Sequence, residues 1–111
     1  MERTLRKIDV LRHELKALRY LLDSFHQGGA RGEGAPSRED FQADQSRLIY
    51  DAIVEAGDRQ EAEARIAVLK LEDVDLHSFL GLSGQHYYSY PDLVRKRAEA
   101  IRSGELVVED S

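Results

Sequence analysis

Apolar positions recur along the first part of the chain in alternating steps of four and three: Thr4, Ile8, Leu11, Leu15, Leu18, Leu22 and Phe25. This is the a/d spacing of a short coiled coil, imperfect only at Thr4, and it predicts an amphipathic helix from about Glu2 to His26. Neither Gly nor Pro falls within that segment. Its Leu, Ala, Lys, Arg and Glu residues favour a helix, so local preference agrees with the period. Leu5 and Leu21 widen the stripe beyond the strict seam. A wide stripe suits a bundle of three or more helices better than an isolated two-stranded coil. Such a surface must leave water by packing on another helix, of this chain or of a second copy. Ile8, Leu11, Leu15, Leu18, Leu22 and Phe25 are therefore the candidate oligomer seam, with a dimer favoured.

The period stops at Gln27. Four glycines and Pro36 lie within residues 27–36, which reads as a flexible linker. Helical signals return at Ser37, an N-cap candidate for a helix from Arg38 to Ala56. Phe41, Leu48, Ile49, Ala52, Ile53 and Ala56 would form its buried face. Gly57 is placed as a C′ residue, and Asp58-Arg-Gln-Glu61 fits a capping box, predicting a tight hairpin into a third helix. That helix covers Arg59 to Leu71 and buries Ala62, Ile66, Val68 and Leu69. Asp73 and Asp75 favour a break, with Asp73 capping a short helix from Val74 to Leu80. Leu82 to Tyr90 reads as a loop. Pro91 then opens a final helix that runs to about Arg102 and stops at Gly104.

The expected fold is all-α. A long N-terminal amphipathic, coiled-coil-like helix (1–26, the oligomerisation element) precedes a Gly-rich linker (27–37), a bundle of three to four helices (38–104) and an acidic tail (105–111), read as frayed in preference to a short strand. The expected core is Ile8, Leu11, Leu15, Leu18, Leu22, Phe25, Phe41, Leu48, Ile49, Ile53, Ile66, Leu69, Leu76, Phe79, Leu80, Leu93 and Ile101.

Composition narrows this picture. With 111 residues the chain makes one small domain. At 41% hydrophobic and 33% charged it reads as globular. No apolar run approaches the ~20 residues of a membrane span, and no secretory h-region opens the chain. The expectation is a cytoplasmic protein without membrane contact. It has no cysteine, which excludes disulfides, thiolate zinc sites and thiol catalysis. Net charge is −5 overall, divided as +2 over residues 1–26, −6 over 37–80 and −1 over 81–111. The acidic middle opposes wrapping by nucleic acid but leaves room for a local basic patch.

Candidate chemistry gathers near the end of the chain. Tyr87, Tyr88 and Tyr90 are followed by Arg95, Lys96 and Arg97. Clustered Tyr and Arg are what a protein-binding hot spot uses. The same residue types form platforms for single-stranded nucleic acid. Tyr87, Tyr88, Tyr90, Arg95 and Arg97 are the candidate partner surface. Asp73 and His77, with Glu72 and Asp75 beside them, could supply two metal ligands at helical spacing, but two do not make a site. They read as caps around a short helix. No metal, cofactor or catalytic residue is assigned. The sequence holds no Gly-x-Ser-x-Gly, Walker loop, dinucleotide fingerprint or His-Glu-x-x-His.

Arg19 and His26, separated by six residues, resemble the Arg-x(4–6)-His motif of HEPN-type ribonucleases. The resemblance covers those two residues and implies acid–base cleavage of RNA across a helical dimer. The favoured expectation is a non-enzymatic interaction or regulatory protein, forming a homo-oligomer and engaging another protein. A nucleic-acid-binding regulator using the last helix is the alternative, and a HEPN-like ribonuclease the second.

Overall fold

The computed structural model describes residues 3–25, 34–72, 74–81 and 84–109. Helix is the dominant element: α1 (Lys7–Asp23), α2 (Asp44–Glu55), α3 (Arg59–Ala67), α4 (Leu76–Gly81) and α5 (Tyr90–Ser103). Short 3-10 turns occupy Arg38–Asp40 and Gly84–Tyr87, and two strands, β1 (Arg3–Arg6) and β2 (Leu106–Glu109), lie at the ends of the described chain. Contacts from every other helix converge on α1.

The chain's own core consumes much of the coiled-coil seam. Leu11, Leu18 and Leu22 are buried, Leu15 and Phe25 pack against the core half-buried, and Ile8 remains 41% exposed. The buried face of α1 is Val10, Leu11, Glu14, Ala17, Leu18, Arg19, Leu21 and Leu22. It is rotated and broader than an a/d stripe, because a straight helix enclosed on several sides follows a 3.6 rather than a 3.5 period. Two other expected core residues also change place. Leu48 on α2 is 44% exposed, and Val68, just beyond α3, is 78% exposed.

The first expected helix loses its opening turn to a strand. Arg3–Arg6 pairs in parallel with Leu106–Glu109, in the register Arg3 to Leu106 and Arg6 to Glu109. The segment expected to be a frayed tail is thus a strand over 106–109, and the fold is mostly helical rather than purely so. Gly104 makes this possible. At φ +84° it occupies the left-handed C′ position of α5, where glycine alone carries no side-chain penalty. The reversal returns Leu-Val-Val, a run that favours β structure, to the start of the chain. Leu106 is buried there.

The second expected helix, 38–56, divides into a 3-10 turn and α2. Phe41, fully buried, and Ala43 lie in extended backbone between them. Glu14 provides the physical reason. Its carboxylate accepts from the backbone N–H of Gln42 (2.6 Å) and of Ala43 (3.1 Å). Those two donors would otherwise bond to carbonyls of a continuous helix. Burial pushes the Glu14 carboxyl above its ordinary value, against the opposing effect of these two bonds. Asp40 adds a second anchor by accepting from Ser37 N–H (2.9 Å) and pairing with Arg102 of α5.

The α2–α3 joint follows the expected capping box with one shift. Asp58 accepts from Glu61 N–H (2.7 Å), while Glu61 reaches back to Gly57 N–H (2.7 Å) rather than to residue 58. Helix α3 ends at Ala67, four residues before Leu71, and Leu69 and Leu71 pack on the core from a non-helical segment. The expected break before α4 is present. Asp75 caps this helix, accepting from Ser78 N–H (3.2 Å) and Ser78 Oγ–H (2.8 Å); Asp73 lies outside the described residues, as does most of the Gly-rich linker.

Candidate functional site

Helix α5 begins at Tyr90, with Pro91 in its first turn, where the missing N–H costs nothing. Helical spacing sets Tyr90, Leu93, Arg97 and Ala100 along one face. That face meets α1. His13 and Tyr90 meet at a tilt of 41° with ring centroids 5.7 Å apart, and Tyr87 meets Tyr90 edge-on at 5.6 Å. The Lys16 ammonium sits 5.6 Å from the Tyr87 ring centre and 5.4 Å from that of Tyr90, a double cation–π contact. Tyr87 and Tyr90 are half-buried, whereas Tyr88 is 73% exposed.

The three consecutive cations of α5 have different fates. Arg95 and Lys96 both pair with Asp92, Lys96 at 3.0 Å. These bonds hold the Asp92 carboxyl below its usual range, Lys96 contributing first. Arg97 turns instead toward α1, where its Nη1 lies 2.6 Å from His13 Nδ1. Guanidinium can only donate, so Nδ1 accepts and His13 is neutral. Desolvation, then the charges of Arg97 and Lys16, press the His13 pKa below 6.5. Burial also lowers the Arg97 pKa. Among arginines with described side chains, Arg97 alone has no described carboxylate within 4.0 Å.

Beside Arg97 a groove of about 490 Å³ runs between β1 and α5. Its lining includes Leu5, Leu93, Ala100 and Leu106, with Lys96 and Arg97 as its charges. The groove therefore combines a half-buried guanidinium with an aliphatic floor. As a proton relay the site is poor, because the group bonded to His13 Nδ1 stays protonated throughout the ordinary pH range.

The structure thus brings Tyr87, Tyr90 and Arg97 together and places Arg95 in a separate ion pair with Asp92. It adds His13 and Lys16, which the sequence did not single out. They are three residues apart on α1 and more than seventy from the Tyr-rich turn, so no local pattern connects them. Arg19 of the ribonuclease-like pair is buried and forms an ion pair with Asp23 (3.1 Å), which also holds Arg59 of α3 (2.6 Å). The Asp23–Arg59 pair tethers α1 to α3; His26 lies outside the described residues.

No helix among the described residues is long and apolar enough to cross a membrane. No family model, curated protein or solved structure matches this chain, and the functional reading rests on the geometry of its own residues.

Proposed function

We propose that this chain is a small non-enzymatic interaction protein, a helical bundle that engages another protein through the Tyr87/Tyr88/Tyr90 surface and Arg97. The observation that carries the reading is Tyr88, 73% exposed beside a braced Tyr87–Tyr90 pair. A large amphipathic ring on a rigid support loses little entropy when a partner covers it. The nucleic-acid alternative has less support, because Asp92 already occupies Arg95 and Lys96, and Lys16 engages the rings of Tyr87 and Tyr90.

Self-association through α1 is the second part of the proposal, on a narrower basis. Ile8 is the seam residue left at the surface, so it would carry any contact between copies along α1.

Random dodecapeptides displayed on phage test the main reading. Those enriched on the wild-type protein should bind Tyr88→Ala at least about tenfold more weakly. Equal binding to the two proteins would remove Tyr88 as the anchor. Oligonucleotide binding that weakens steeply with salt and vanishes in Arg95→Ala/Arg97→Ala would establish the alternative instead.

A further inference from the structure

We propose that the groove between β1 and α5 receives an acidic segment of the partner, with a carboxylate on Arg97 and a neighbouring aliphatic side chain on Leu5, Leu93, Ala100 and Leu106. This deepens the interaction reading and rests on it. Charge complementarity identifies the occupant. Nine of the ten arginines with described side chains have a carboxylate within 4.0 Å, and Arg97 is the exception among the described residues. It is not a freely hydrated surface charge. Arg97 is half-buried, its Nη1 is fixed on His13 Nδ1, and it borders the groove.

A guanidinium in that position has already lost part of its water. An incoming carboxylate meets it at reduced dielectric, where the pair is stronger than an exposed one. The nearest acids act on it only from a distance: Glu14 is engaged by the N–H groups of Gln42 and Ala43, and Asp9 pairs with Arg6 and Arg12. Among the described residues His13 is the one hydrogen-bond partner of the Arg97 guanidinium.

The groove's other lining selects what accompanies the charge. Four aliphatic side chains and no aromatic ring line it, which suits a Leu, Ile or Val neighbour better than a stacked base. At about 490 Å³ it can take a few side chains rather than a whole helix. His13 Nδ1, 2.6 Å from Arg97 Nη1, fixes the guanidinium at the edge of this groove.

The probe is the same random dodecapeptide library selected on the full chain. Enriched peptides should carry Asp or Glu next to an aliphatic residue. Fluorescence anisotropy should then show binding weakened about tenfold or more by Arg97→Gln, and equally by changing the peptide's Asp or Glu to its amide. The peptide exchange reads the same contact should the protein variant fail to fold. Peptides that lack an acid, or that tolerate the amide change, overturn this inference; if they still depend on Tyr88, the interaction reading stands without it. Absence of any enriched peptide overturns both. Decanoate shifting the Leu93 methyl signals in NMR while no acidic peptide is selected would assign the groove to a lipid-type carboxylate instead.

Discussion

Removing the Glu14 side chain tests how the fold is joined. In Glu14→Ala the backbone N–H groups of Gln42 and Ala43 lose an acceptor supplied from 28 and 29 residues away. Ala43 is buried, so water cannot readily replace the carboxylate there, while Gln42 is half-buried and partly recovers. An unsatisfied buried donor costs about 1–3 kcal/mol. The lost methylene adds roughly 0.8 kcal/mol. Relief from burying a carboxylate, the dominant influence on the Glu14 pKa, acts in the opposite direction. The net expectation is about 3 kcal/mol. With an unfolding entropy of ~2.1 cal/mol/K per residue, 111 residues give ~0.23 kcal/mol/K and a Tm lower by about 13 °C. Glu14→Gln keeps one acceptor and should lose less, about 1–2 kcal/mol. Differential scanning calorimetry gives the magnitudes. Hydrogen exchange gives the location, since the Gln42 and Ala43 amides should lose protection before the middle of α2. A Glu14→Ala protein melting within about 2 °C of wild type, with both amides still protected, would refute the reasoning.

Other consequences follow from single contacts. His13 has a depressed pKa in the folded protein, so its neutral form contributes stability above 6.5 that is lost as pH falls through the lower folded value. Arg97, Lys16 and Arg12 face it as cations and Asp9 as the anion. Urea midpoints should therefore fall more between about pH 7.5 and pH 5 for wild type than for His13→Gln; parallel falls would contradict this. Gly104→Ala places a side chain at φ +84° and should cost about 1–2 kcal/mol, read from chemical denaturation. Ile8→Glu should leave Tm nearly unchanged, because Ile8 is 41% exposed, whereas Leu22→Ala in the core should cost about 2–5 kcal/mol. Light scattering on Ile8→Glu also tests self-association: a mass equal to that of an oligomeric wild type removes α1 from the contact. Leu106→Asp should detach β2, exposing the amides of residues 3–6 to exchange; retained protection would show that the strand pair does not depend on that buried leucine.

Local chemistry made much of the fold legible. The apolar period of residues 8–22, Pro91, the Asp58–Glu61 pair and Gly104 each act within a turn or two of their own position, and each marks an element that forms. The break before α4 was legible in the same way, although Asp75 does the capping. What escaped depends on residues distant in the chain. Arg3–Arg6 becomes a strand because Leu106–Glu109 is returned beside it. The stretch from Phe41 to Ala43 leaves the helix because Glu14 takes its N–H groups. A careful reading of α1 held one hint of this: Glu14 interrupts an apolar stripe between Leu11 and Leu18, where a solvated acid has no place. The candidate site divides along the same line. Its tyrosines and arginines form a cluster in sequence, but His13 and Lys16 reach them only through the packing of α1 on α5. Which partner Arg95 and Arg97 each take, Asp92 or His13, is likewise decided by distance rather than by order in the chain.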